Sequence, residues 1–430
     1  MVSSLLLSPA QAQGTSSGFQ YDIDTPQARA VAQAREAVRQ GQWGRLPSLA
    51  DQAQGDVLGI YADFWVAQGA IKQALSTQQI PVAQAFLERY PGSYMADRVR
   101  AEWVLAAAEH GDFKTIQEIG EFIWYNNQVR CAKIESRHMT GKRATAEEAV
   151  RDFAPGQTCW SMMAQLVADG VLTRRQLTPM MLDALEINHT RTAERIASHI
   201  FDRAALQTYK NMMANPGRWV RAQKGRLTGD DALIAAMGLA RMARDDLSGT
   251  AAYVGKSWQN RLPPELLAWV RVQIAFRDAL NLEMTRADHL YRQAGNIELS
   301  PSNYEWRVRA ALRQPVIDWK WVQTAIDWMP PALRSDNTWQ YWKARALAAQ
   351  GDQQAANQIY ASIAKDLDFY GQLALEELGR PILIPVPPPR SQRRSCSRPG
   401  AIHTCNRPSP YSDRVGARKL FPSGITGCEG

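Results

Sequence analysis

Between residues 25 and 379, apolar residues recur every three or four positions, interrupted by Gly or Pro. No run of β-branched alternation competes with that spacing. Segments 28–39, 58–71, 96–109, 233–244 and 266–280 follow the pattern most closely and predict amphipathic helices. Thr25-Pro26, Thr228 with Asp231 three residues on, and Ser335 ahead of Trp339 read as helix starts. Gly41, Gly111 and Gly351 read as helix ends, because glycine enters the left-handed region without steric cost.

Those three glycines share a second feature. Each is followed by a polar residue (Gln42, Asp112, Asp352) and then by another helical segment. Apolar or small residues stand five and nine positions beyond each glycine: Leu46 and Ala50, Ile116 and Gly120, Ala356 and Tyr360. The first of each pair is where the second helix should meet the one before it. This is the layout of tetratricopeptide-like helical hairpins, each of which hides its apolar face only by stacking on neighbours. The expected fold is all-α, an α-solenoid or superhelix of such hairpins, curved or ring-like, over residues 25–380. The Pro-rich stretch 381–389 reads as an extended linker. Residues 390–430 are rich in Arg, Ser, Pro and Gly, lack apolar periodicity and are expected to be disordered.

Composition narrows the function classes. The net charge of +8 suggests nucleic acid, but the segment from Arg390 onward carries +6 of it, leaving +2 on the 389 residues before. So even a balance gives no phosphate-binding footprint. No stretch approaches the roughly 20 apolar residues of a membrane span. Leu5-Leu6-Leu7 followed by Ala10-Gln11-Ala12 reads as the remnant of a secretory signal over residues 1–12, which predicts export. The body holds two cysteines, Cys131 and Cys159, with 27 residues between them. In an exported protein they are a possible disulfide, worth roughly 3 kcal/mol in the chain-entropy model; two unpaired core thiols remain the alternative.

The region 306–379 carries a resemblance. It contains Trp306-Arg307-Val308-Arg309-Ala310-Ala311-Leu312, Asp318-Trp319, Trp328-Met329-Pro330, and Trp339-Gln340-Tyr341-Trp342-Lys343-Ala344-Arg345. Phe369-Tyr370-Gly371 and Leu373-Ala374-Leu375-Glu376-Glu377-Leu378-Gly379 follow. These blocks resemble the superhelical region of soluble lytic murein transglycosylases. Upstream, Phe86-Leu87-Glu88-Arg89-Tyr90-Pro91 and Gly111-Asp112-Phe113 resemble the same family's early repeats, and Cys131 and Cys159 fall where some members carry a paired Cys. The resemblance implies a helical ring bearing a lysozyme-like domain in which one Glu cleaves between N-acetylmuramic acid and N-acetylglucosamine, giving 1,6-anhydro products. It implies a periplasmic location and peptidoglycan glycan strands as partner, with periplasmic cell-wall proteins as further partners.

The family's catalytic signature is a Glu-Ser pair followed by Ser-x-x-Gly-Ala-x-Gly-Leu-Met-Gln. The chain has one Glu-Ser pair, Glu135-Ser136, and no such sequence after it. Glu135 is therefore not expected to be catalytic, nothing near it in sequence being suited to raise its pKa or grip a sugar. The catalytic domain is expected to be missing, and the chain to be an inactive scaffold by itself. Permitted codons of 405–413 and 419–430, read in another frame, spell helix-like and family-like sequence. That predicts a frameshift after about Pro389. No catalytic, cofactor or metal residue is assigned: the six His (His110, His138, His189, His199, His289, His403) are scattered, and no Cys/His spacing suits a metal. Trp306, Trp319, Trp321, Trp328, Trp339 and Trp342 are expected to form core rather than a sugar platform. Arg307, Arg309 and Arg345 are expected to pair with acidic neighbours across repeats or to stack on Trp. A second reading of the same pattern is a periplasmic repeat adaptor that binds proteins.

Overall fold

A computed structural model describes residues 24–123 and 126–382. The leader-like segment 1–12, residues 383–389 of the expected linker, segment 390–430 and His403 lie outside the described residues. The all-α expectation holds: the described residues form α-helices, one short 3-10 turn and no strand. None of these helices is long and apolar enough to cross a membrane.

The described chain falls into two compact units, 24–144 with 152–162 and 145–151 with 163–382. The first holds α1 (Pro26–Arg39), α2 (Leu46–Gln52), α3 (Gly59–Gln73), α4 (Pro81–Arg89), α5 (Tyr94–Glu109), α6 (Phe113–Glu118) and α7 (Asn127–Met139). It is followed by α8 (Ala146–Asp152) and α9 (Gln157–Ala168), whose first half belongs to the same unit. Contacts run α1 to α3, α3 to α5 and α5 to α7, while α2, α4 and α6 pack alongside as a second layer. That is how stacked hairpins bury their faces. The interfaces are rich in alanine (Ala34, Ala62, Ala67, Ala83 and Ala107 are fully buried), which lets neighbouring backbones approach closely.

The second unit continues with α10 (Arg174–Glu186), α11 (Thr190–Ile200), α12 (Arg203–Ala214), α13 (Pro216–Ala222), α14 (Gly229–Asp245), α15 (Leu247–Ser257), α16 (Pro264–Leu280), α17 (Met284–Ala294) and α18 (Pro301–Leu312). It ends with α19 (Trp319–Asp327), α20 (Pro331–Arg334), α21 (Asn337–Ala349), α22 (Gln353–Ile363) and α23 (Phe369–Glu377). Here α12, α14, α16 and α18 stack in one layer. The alternation then shifts, and α19, α21 and α23 continue the stack, with the one-turn α20 against α21.

Helix ends explain why the glycine pattern was readable. After α1, α5 and α21 the chain makes the same two bonds: Gly41 N–H to Val38 O and Gln42 N–H to Ala37 O, Gly111 to Ala108 and Asp112 to Ala107, Gly351 to Ala348 and Asp352 to Leu347. Each glycine sits at positive φ (68°, 69° and 92°), the conformation this motif demands. Leu46, Ala50, Ile116, Ala356 and Tyr360 are buried as expected. Gly120 is not: α6 stops at Glu118, and Gly120 lies exposed at φ 80° beyond its end. The expected start at Thr228 holds and the one at Ser335 is off by a residue. Thr228 flanks α14 without a side-chain capping bond, and α21 is capped by Asp336, which accepts from Thr338 N at 2.9 Å, rather than by Ser335.

The turn after α16 uses the same bonding without glycine. Glu283 N–H reaches Asp278 O while Leu282 takes φ 63°, 73% exposed. A left-handed leucine costs roughly 1–2 kcal/mol, more than the extra backbone entropy a glycine would lose on folding. Leu282→Gly is therefore expected to raise the thermal midpoint by about 2 °C, measured by circular dichroism. An unchanged or lower midpoint would mean the exposed side chain has a contact worth more than the strain.

Candidate functional site

The first unit holds a cleft of about 540 Å³ between the end of α3, α5, α7 and the first turns of α9. Its floor is built where α7 meets α9. Cys131 on α7 and Cys159 on α9 are joined, with an S–S distance of 2.05 Å and Cα atoms 4.9 Å apart. One helical turn beyond Cys131 stands Glu135, and two residues beyond Cys159 stands Ser161, whose Oγ donates to Glu135 Oε1 at 2.8 Å. The covalent link and this hydrogen bond therefore fix the same pair of helices at adjacent levels.

Glu135 is only 4% exposed. Burial raises its carboxyl pKa above the ordinary value, and the Ser161 hydrogen bond offsets part of that rise. This corrects the sequence expectation that nothing would raise the Glu135 pKa: burial in the packed fold does so, and Ser161 of α9, 26 positions along the chain, opposes it. Ser136, its partner in the dipeptide, has a separate task. Its Oγ donates to Phe113 O at 2.7 Å and accepts from Gln117 Nε2 at 2.7 Å, tying α7 to α6.

Gln128 completes the floor by closing the start of α9. Its Nε2 donates to Ala154 O at 3.0 Å and its Oε1 accepts from Cys159 N–H at 3.3 Å. A Cβ on Gly156 would come within 2.4 Å of that amide, so a larger residue there would displace the Gln128 side chain from the start of α9. Ile71, Leu105 and Ala106 give the cleft an apolar wall, and Lys72, Glu109 and His110 stand at its rim.

The second unit holds a smaller pocket, about 120 Å³, lined by α10, α16 and the start of α18. Glu186, 6% exposed, lies at its base. Ser300 Oγ donates to Oε1 at 2.6 Å, and Gln273 Nε2 and Asn303 Nδ2 donate to Oε2 at 2.9 Å and 2.6 Å. Tyr291 in turn donates to Asn303 Oδ1 at 2.8 Å. Asp183 stands exposed beside the pocket, and desolvation by its surroundings, then the negative charges of Glu186 and Glu298, raise its carboxyl pKa. Glu186 braces three helices, and this pocket is structural first.

The tryptophan block is core, as the sequence indicated. Trp321 and Trp339 are buried, and Trp306, Trp319, Trp328 and Trp342 pack against them. Trp321 Nε1 donates to Asp288 Oδ1 at 2.7 Å. The three arginines divide. Arg345 crosses between hairpins to Glu377 at 2.7 Å. Arg309 pairs with Glu305 at 2.9 Å within its own helix and lies over Trp306 and Trp339. Arg307, 1% exposed, finds no carboxylate; it stacks on Tyr304 and Trp328, and burial lowers its pKa to about 10. Among the described residues no three His, Cys, Asp or Glu side chains gather as a metal site would require. The sequence reading missed the buried acids Glu186, Asp278 and Asp288; the one available signal was an acidic residue on an apolar helical face, as Asp278 is beside Ile274 and Ala275.

No family model and no curated protein matches the chain. Solved structures similar to it are soluble lytic transglycosylases. One is a 70 kDa soluble lytic transglycosylase in complex with bulgecin A, at 18% identity and TM-score 0.46, covering 87% of this chain and 62% of that one. The 70 kDa soluble lytic transglycosylase from Escherichia coli matches at 17% identity and TM-score 0.46, covering 84% of this chain and 59% of that one. An inactive mutant of the lytic transglycosylase from Pseudomonas aeruginosa matches at 21% identity and TM-score 0.47, covering 82% of this chain and 58% of that one. The chain thus spans about three-fifths of the length of those solved chains.

Proposed function

We propose that this chain is the helical, glycan-holding part of a periplasmic peptidoglycan lytic transglycosylase, and that it binds glycan strands without cutting them. The observation that carries the reading is the set of Trp and Arg blocks in 306–379, which resemble that family's superhelical region. Their side chains pack into two core clusters, with Trp342 against both, and Arg345 braces one hairpin to the next through Glu377. The tetratricopeptide-like character of the hairpins supports the same reading, since such pairs offer long surfaces to an extended ligand.

The test uses purified sacculi. The chain is expected to sediment with them and to release no 1,6-anhydro-muropeptides. Release of such products would show that it cuts. Failure to sediment, together with stoichiometric capture of one protein from periplasmic extract, would favour the adaptor reading.

A further inference from the structure

The cleft of the first unit contains hydrogen-bonding groups that the fold leaves uncommitted. Glu135 Oε2 borders it and has no partner among the described residues, although the side chain is 96% buried and its other oxygen is held by Ser161. The Thr158 hydroxyl and the Gln157 amide also line it without partners, and the backbone N–H groups of Gln157 and Thr158 head α9 there, that of Cys159 being taken by Gln128 Oε1. Helix starts leave such donors free by construction. The opposite wall, Ile71, Leu105 and Ala106, is apolar.

Charge does not select the ligand. Lys72 lies over the Trp43 ring at 5.0 Å, and Glu102 is engaged by Gln68 at 3.1 Å and by Arg98 at 3.7 Å. Burial shifts the Glu135 carboxyl toward its neutral form and the Ser161 hydrogen bond works against that shift; in either form the group accepts from a ligand hydroxyl or amide. A cleft in the size range of small-ligand sites, with one polar floor and one apolar wall, suits a molecule that has hydroxyl or amide groups on one edge and C–H groups on its face. That is a saccharide.

We propose that this cleft is a saccharide-binding subsite, in which Glu135, Thr158 and the first turn of α9 hydrogen-bond an N-acetylated amino sugar whose apolar face meets Leu105 and Ala106. The assignment of an amino sugar rests on the peptidoglycan reading above; the assignment of a saccharide rests on the cleft itself.

The probe is triacetylchitotriose, titrated calorimetrically into the full chain, its Thr158→Val variant and its Ala106→Trp variant, each checked for native helicity. The expected result is saturable binding to the parent chain, weakened roughly tenfold by Thr158→Val, which removes one hydrogen bond to the ligand. Ala106→Trp, which fills the cleft, should abolish it. Silence up to about 10 mM ligand, or binding that neither variant changes, overturns the proposal. Sedimentation with sacculi, run beside it, separates the two ideas. Retention of parent and variants alike with a silent titration sinks the subsite and leaves the glycan-holding role standing. A titration that behaves as expected without retention supports the subsite and removes the role.

Discussion

Replacing Arg286 with alanine is expected to destabilise the chain by about 3 kcal/mol, read as a lower denaturant midpoint at unchanged slope. Asp278 on α16 is completely buried, and Arg286 at the start of α17 grips it through two bonds, Nε at 2.8 Å and Nη2 to the second oxygen. That hydrogen bonding, then the Asp278 charge, raises the guanidinium pKa further against the lowering effect of burial. Removing the arginine leaves an anion in the interface with no partner. Breaking a buried pair commonly costs about 3–5 kcal/mol; the lower end applies here because the arginine is 40% exposed and its charge is partly screened. The double variant Asp278→Leu with Arg286→Met should recover most of the loss, since it removes the uncompensated charge as well. A single variant that costs nothing would show that water reaches Asp278.

The contrast between what was readable and what was not follows from range. Schellman ends at Gly41, Gly111 and Gly351 are encoded within six residues, and the sequence displays all six. The tryptophan block was legible because its residues sit at helical spacing, so that burial of one predicts burial of the next. Glu135 and Glu186 look like surface charges in one dimension. What makes Glu135 different is Ser161, and what makes Glu186 different is Gln273, Ser300 and Asn303, the last 117 residues away. Periodicity reports which face of a helix a residue occupies and is silent on the polar partner that a later helix brings. The failure at Gly120 has a local cause: the repeat predicted a full second helix, but α6 has six residues and ends before that position.

Loss of the Cys131–Cys159 link should be the other large effect, and it should be felt in the cleft as well as in stability. The bond closes a loop with a sequence separation of 28, for which the chain-entropy model gives about 3 kcal/mol. Reductant is expected to lower the thermal midpoint of the parent chain by several degrees, and the double variant Cys131→Ser with Cys159→Ser to match the reduced parent and to ignore reductant. The comparison is needed because the chain carries three further cysteines, Cys396, Cys405 and Cys428. The geometry adds a second consequence. Glu135 lies one turn from Cys131, and Ser161 two residues from Cys159, so freeing the sulfurs lets α7 and α9 move apart where the Glu135–Ser161 hydrogen bond spans them. Chitotriose affinity should fall along with the midpoint. Equal midpoints with and without reductant, and ready alkylation of Cys131 and Cys159 in the untreated protein, would show that the helices are held by packing alone.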